Sequence, residues 1–376
     1  MNVPRFVSTL TSRWGRTVLM MGGLFILLSS CKSGGSGLPG ITAAGSPGEV
    51  LLVMPSSWLK GEIGEQTKSM LRMEVPSLPQ TESWLRVQTV SSDDFGQFLR
   101  NTRNILIVDY NKDIYTTTSV KYTFDPYAKG QIVVTIQTPD MQSYHKYITE
   151  RGREICELFL RNELYRMASD LVEDYSPTAM NYCEEIFGCR INVPKDVLSY
   201  KKGENFLWLS NNAMKKRYDF AIFKVPYDTS STLPSARQLI ALRDSVLGKE
   251  IPGSVPSSHM TTSDYAIEYR LAELPSGKRI VELRGLWEMT PPDIMAGPFI
   301  AQAFFSTNEA ALYYVEGFVY YPNEDKRDLV RKLHSALFSF RPQNEQMFDP
   351  EPIKRIRWSP AEDLTVSDPS FATSKR

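Results

Sequence analysis

The sequence predicts an α+β fold of two lobes, with a mixed sheet and helices in the first and a largely antiparallel sheet packed by helices in the second. Three observations carry that expectation. Short β-type runs alternate with helical periodicity early in the chain, and paired alternating runs joined by turn residues dominate the later part. The composition is that of a globular chain: 376 residues, 42% hydrophobic and 23% charged, with 43 basic and 43 acidic side chains. That balance offers no clustered positive field, so no nucleic-acid partner is expected.

Residues 1–30 hold Arg5, Arg13, Arg16 and no acid, followed by an apolar run, Val18 to Leu28, too short to span a bilayer. This reads as a secretory signal peptide. It ends in Leu28-Ser29-Ser30-Cys31, which resembles the bacterial lipobox and makes Cys31 the expected lipidation site, with acyl chains such as palmitate as the membrane anchor. The competing reading is a signal peptide with a chance cysteine at its end. Removing residues 1–30 leaves 40 basic and 43 acidic residues. Residues 31–48 are expected to be a flexible tether, since 32–48 contain six Gly and two Pro and little apolar surface to bury.

The first lobe is placed at 49–188. Glu49 to Met54 reads as a strand, Ser57 to Leu71 as a helix weakened by Gly61 and Gly64, Trp84 to Val90 as a strand and Ser92 to Arg100 as a short helix. Asn104 to Asp109 is a continuous apolar run of buried-strand type. Val120 to Phe124 and Gln131 to Gln137 flank a Pro- and Gly-bearing turn and predict a hairpin. A long helix follows from Asp140 toward Tyr175, with Leu160, Leu164, Met167 and Leu171 on one face and Gly152 as a point of bending or close packing. Pro177 ends it, and a shorter helix runs to Phe187 before Gly188.

The second lobe is placed at 189–342. Asn205 to Ser210 and Tyr218 to Val225 read as strands, and Ser235 to Leu247 as a helix with Gly248 at its C′ position. Tyr265 to Leu271 and Arg279 to Trp287 alternate Ile267, Leu271, Val281 and Leu283 with Glu268, Arg270, Glu282 and Arg284, which predicts one apolar and one charged face. Phe299 to Ser306 and Leu312 to Tyr321 form a further strand pair, aromatic on both faces, so that either both faces are covered or one lines a groove. Asn323 is the expected N-cap of a last helix. Residues 343–376 form a tail, with Pro360 to Arg376 expected to be disordered. Within it, Ile353 to Trp358 alternates apolar and cationic groups, suited to joining a sheet, lying on an anionic surface or packing as an arm on its own domain.

Several strings form a set: Leu78-Pro79-Gln80 with Glu82, Asn104 to Asp109, Asn205-Phe206-Leu207-Trp208-Leu209, Ile251-Pro252-Gly253, Arg284-Gly285-Leu286-Trp287-Glu288, Gly297-Pro298-Phe299 and Glu316 to Pro322. In this order they resemble an uncharacterised lipoprotein family of the Bacteroidota, domain of unknown function 4837, over roughly residues 48–342. The resemblance implies a cell-envelope lipoprotein and supplies no activity. In lipoproteins of that phylum, acidic residues soon after the lipidated cysteine favour surface display. Lys32-Ser33-Gly34-Gly35 lacks them, so the periplasmic face of the outer membrane is the expected location, with surface display left open.

No phosphate loop, dinucleotide fingerprint, nucleophile elbow or zincin motif occurs, so no catalytic residue, metal or cofactor is assigned. His145 and His334 read as surface residues; His259 follows Ser257 and Ser258, a conceivable but geometrically unfavourable Ser–His pair. Cys183 and Cys189 bracket Gly188, which permits a disulfide if the helix breaks there and leaves Cys156 as a free thiol. The leading functional expectation is a non-catalytic, membrane-anchored protein that binds an unknown envelope protein or ligand through Arg284, Trp287, Glu288, Phe299, Glu316 and Phe318. The alternative is an envelope-polymer hydrolase whose paired carboxylates come from Glu82, Asp109, Glu288 and Glu316.

Overall fold

In the computed structural model, which describes residues 40–228, 233–306 and 308–360, two sheets organise the chain. The signal peptide, Cys31 and residues 361–376 lie outside the described residues. Residues 41–48 of the expected tether do not stand free: Thr42 and Ala44 form bridges to Lys129 and Thr102, and Ala43 is buried.

The first sheet has β1 (Glu49–Met54), β2 (Arg86–Ser91), β3 (Asn104–Tyr110), β4 (Ser119–Phe124) and β5 (Ile132–Thr138) in the order β2-β1-β3-β5-β4. β4 is its antiparallel edge strand, and all other pairings are parallel. The apolar run of β3 takes the centre, where both faces are covered and alternation is not required. Between β1 and β2 the expected single helix is two, α1 (Ser56–Leu59) and α2 (Glu62–Leu71), broken where Gly61 becomes the N-cap. The expected helix at 92–100 is two 3₁₀ turns, Ser92–Asp94 and Leu99–Asn101. There the Ser91 side chain accepts from the Asp94 N–H and offers the backbone an alternative to a helix.

The long α3 (Met141–Glu173), N-capped by Asp140, covers this sheet. Gly152 serves close packing: a Cβ there would lie 2.5 Å from the Met70 side chain of α2. Buried Glu163 fixes the helix to β3 by accepting two bonds of 2.8 Å from Arg103 and one of 2.7 Å from Asn104. Ser176 caps α4 (Pro177–Phe187), which ends on Gly188 in the left-handed conformation. Cys183 and Cys189 are free, buried thiols, so the possible disulfide is not formed; α4 stays helical through Phe187.

The second sheet is antiparallel throughout. Its strands are β7 (Ser199–Lys202), β8 (Phe206–Ser210), β9 (Arg217–Pro226), β10 (Met260–Thr262), β11 (Glu268–Glu273), β12 (Arg279–Met289), β13 (Ala296–Ser306), β14 (Ala311–Tyr320) and β16 (Arg357–Pro360). They run in the order β16-β11-β12-β13-β14-β9-β8-β7, with β10 paired to β12, while the short β6 (Cys189–Arg190) and β15 (Arg341–Pro342) pair with each other. Of the segment Ile353 to Trp358, the first residues form a 3₁₀ turn and only Arg357 and Trp358 enter the strand that joins the chain's own sheet.

Both faces of this sheet are buried. On one, Phe220, Ile222, Ile300 and Val315 join α3, α4 and α6 (Arg327–Leu337) in a core that also contains the inner face of the first sheet. On the other, Phe223, Phe299, Leu312 and Tyr314 pack against α5 (Ala236–Glu250). The charged face expected for β11 and β12 is therefore not solvated: Arg270, Glu282 and Arg284 are buried beneath α6, where Arg270 donates to Glu282 and Arg284 to His334. Two helix ends also differ from expectation. α5 runs past Gly248 to Glu250 because the buried Ile251 closes its last turn on the core. α6 begins at Arg327 rather than after Asn323, since the Glu82 carboxylate accepts the N–H groups of Lys326 and Arg327 at 2.7 and 2.9 Å.

α5 is positioned by a buried ion pair. Arg243 and Glu316, both without exposed surface, meet through two bonds of 2.8 Å, and the Tyr314 hydroxyl donates to the same carboxylate. Removing one partner strands the other charge. Arg243→Met is expected to lower stability by about 3–5 kcal/mol in denaturant titration, and adding Glu316→Leu to recover most of that loss.

Candidate functional site

The six residues expected to form a binding surface separate in the structure. Glu288 is exposed, whereas Arg284, Trp287, Phe299, Glu316 and Phe318 are buried. Arg284 points to the α6 side of the sheet; Phe299 lies beneath the Arg243 guanidinium, 4.3 Å from ring centroid to Cζ; Glu316 is spent on Arg243. The period of two explains the split, because Arg284 and Trp287 are three apart in β12 and face opposite sides.

Trp287 and Phe318 nevertheless share a feature. With Trp208 and Tyr320 they wall a cleft of 160 Å³ where α5 runs out and leaves the end of its sheet face uncovered. Trp287 meets Phe318 edge-on at 5.7 Å, and its indole N–H donates to the Val319 carbonyl at 3.1 Å. That bond depends on Gly297, where a Cβ would lie 1.9 Å from the Val319 oxygen. Met260, Met289 and Met295 complete the apolar lining with thioethers that adapt to irregular shapes.

Two carboxylates lie at this cleft and neither is free. Asp219 is buried, which raises its pKa, but it accepts from Arg217 at 3.0 Å and from the Trp208 indole N–H at 3.0 Å. Asp293 is held below the usual carboxylate range by bonds from Ser254, whose N–H and hydroxyl donate at 2.7 and 2.5 Å. Beside Asp293 stands Ile294, 95% exposed. The arrangement can seat an apolar group against aromatic faces with fixed polar groups at its edge. Trp208, Arg217, Asp219 and Asp293 were not singled out from sequence. Trp208 lay within a quoted string, but only the pairing of Ser210 with Asp219 brings β8 and β9 into the register that places them together.

The carboxylates of the hydrolase reading do not converge. Glu82 caps α6, Asp109 accepts from Tyr115 and Gln137 at the first sheet, Glu316 holds Arg243, and Glu288 is exposed on β12. Ser258 donates to the Thr290 carbonyl rather than to His259. Among the described residues, no group of three or more His, Cys, Asp and Glu side chains is placed to hold a metal ion. A larger open groove of 690 Å³ is lined by five aspartates, among them Asp174 and Asp196, and by Lys195, Lys216 and Lys332, with Lys195 paired to Asp174 at 2.9 Å.

His334, expected at the surface, is fully buried. Its Nε2–H donates to Glu282 at 2.5 Å, and its Nδ1 accepts from Arg284 at 3.2 Å, which requires the neutral tautomer. Burial pushes its pKa down to about 4, and the attraction of Glu282 does not reverse that.

Residues 176–339 match the family described as Domain of unknown function (DUF4837). Residues 43–172 match a second, Domain of unknown function (DUF8532), so the resemblance expected over 48–342 is divided between two families. No curated protein matches the chain.

The state of His334 sets a pH dependence. An unfolded histidine protonates near 6.5, while His334 stays neutral down to about 4, so the unfolded chain binds more protons in that window. Stability present above pH 6.5 is expected to fall by about 3 kcal/mol as the pH drops to 4. Glu282, held well below the usual carboxylate range despite burial by His334 and Arg270, adds a loss of the same sign at still lower pH. Melting temperature against pH checks this: His334→Gln should flatten the slope between 6.5 and 4.

Proposed function

We propose that the chain is a lipid-anchored cell-envelope protein, tethered through Cys31, that binds a partner protein by seating one of its apolar side chains in the Trp208–Trp287–Phe318–Tyr320 cleft. The observation that carries this reading is the cleft itself: an aromatic and methionine-lined recess lies at the end of an otherwise covered sheet face, and exposed Ile294 stands in sequence between its lining residues Asp293 and Met295. Both carboxylates at the cleft are saturated by neighbouring donors, which favours binding over general acid–base chemistry. The lipobox-like Leu28-Ser29-Ser30-Cys31 supports the anchor, and the absence of acids directly after Cys31 supports the periplasmic face of the outer membrane.

A photocrosslinking residue in place of Ile294 is expected to capture one defined envelope protein in intact cells, and Trp208→Ala should reduce that capture at least tenfold with the fold retained. Loss of all specific capture sinks the reading. Separately, Cys31→Ser should release the protein from the membrane fraction, while mass spectrometry of the native protein finds an acylated terminus; a variant that still sediments with membranes, and a native terminus without acyl groups, remove the anchor.

A further inference from the structure

In the first lobe, β4 and α3 wall a groove of 270 Å³ beside the edge of the first sheet. β4 is the edge strand, paired only with β5, and among the described residues no backbone hydrogen bond reaches its outer side. Alternate N–H and C=O groups of Ser119–Phe124 therefore face outward without a partner. Edges of this kind are commonly blunted by proline or by several charges. This strand has no proline and a single charge, Lys121.

Val120 and Tyr122 line the groove from β4, opposite Ile155 and Leu158 of α3, which give it an apolar floor. Three charged side chains of α3 also line it, and two of them are spent on each other: Glu154 accepts from Arg151 at 3.1 and 2.6 Å. Arg161 is not spent. Its side chain is only 15% exposed, and its buried Nε has no hydrogen-bond acceptor. The closest carboxylate, Glu157, stands 3.9 Å from Nη2 and already accepts from Arg153. Burial lowers the pKa of Arg161, yet a guanidinium keeps its proton, so a largely dried cation with unused donors faces the groove. Leaving such donors unmade is costly, and an acceptor that arrives with a negative charge repays the most.

The geometry points to a peptide site: an extended acidic segment of a partner protein adds as a strand to the β4 edge and sets one Asp or Glu carboxylate on Arg161. Three features of the groove converge on that occupant. The open edge supplies backbone hydrogen bonds, the apolar floor takes a side chain, and Arg161 selects for an acid. The spacing is compatible. Same-face side chains of a strand lie about 6.6 Å apart, and Leu158 and Arg161, three apart on one helix face, about 5–6 Å. One apolar and one acidic side chain on the same face of a peptide can therefore meet both. A free phosphate or carboxylate would engage the guanidinium and leave the floor and the strand edge unused. Lys354, whose ammonium lies 4.9 Å from the Phe124 ring centroid, covers the other end of β4, so the peptide lies against Val120 and Tyr122.

A phage-displayed library of random linear peptides, selected on the full-length chain, should enrich proline-free sequences that alternate apolar and polar residues around an acid. A synthetic copy of the leading peptide, followed by fluorescence anisotropy, should bind about tenfold more weakly to Arg161→Gln. Replacing the peptide's own acid by its amide should cost a similar factor, a readout that no folding defect of the protein can imitate. Hydrogen exchange of the β4 amides should slow in the complex. The proposal is overturned by a selection that enriches nothing specific, by peptides that bind Arg161→Gln undiminished, by unchanged exchange in β4, or by acetate competing as well as the peptide does. A concentration-dependent dimer that already protects β4 also overturns it and gives the edge to a second copy. None of these results bears on the crosslink at Ile294, which reports the aromatic cleft.

Discussion

Glu282 lies on β12 with no exposed surface, and a buried carboxylate that stays ionised has to be surrounded by donors. Four reach it: Arg270 from β11 at 2.7 Å, Gln302 from β13 at 2.8 Å, Trp358 from β16 at 2.9 Å and His334 from α6 at 2.5 Å. One side chain therefore fixes the positions of three strands and a helix relative to a fourth strand. The neutral state of His334 follows from the same constraint, because its second nitrogen has to accept from Arg284.

The same device recurs at two other helices. Arg103 and Glu163 hold α3 on the first sheet, and Arg243 and Glu316 hold α5 on the second, each through paired bonds of 2.8 Å. Apolar packing alone is tolerant of sliding, since many offsets bury similar area; a planar guanidinium facing a planar carboxylate is satisfied at one offset. Such pairs add little net stability over apolar substitutes but discriminate between arrangements. For α5 the arrangement selected does not extend over the far ends of β12 and β14, and the cleft walled by the buried Trp287 and Phe318 lies beyond the helix end at Glu250.

Much of the strand pattern was legible in the sequence, because period-two alternation and turn residues such as Pro275-Ser276-Gly277 act locally; Gly277 takes the positive φ that its turn requires. The unbroken apolar run of β3 likewise marked a central strand. What local pattern did not reveal was the partner of each charge. Arg270, Glu282 and Arg284 look like a solvated face until α6 is known to lie on it, and Asn323 looks like an N-cap until Glu82, more than 240 residues earlier, supplies the carboxylate instead. The binding residues were half legible: Trp287 and Phe318 stood out by type, while Trp208 and Asp219 are joined by the register of β8 against β9, which the strand pattern alone does not give.

The strand β16 has a consequence for how the molecule is made. It supplies the outer neighbour of β11, so that edge keeps unpaired backbone groups until residues 357–360 pair with it. A nascent or prematurely terminated chain presents an open, apolar-flanked strand and lacks the Trp358 donor at Glu282. Pairing of β16 is thus the step that closes the β11 edge, and a chain in which it has not yet paired offers that edge to a second copy.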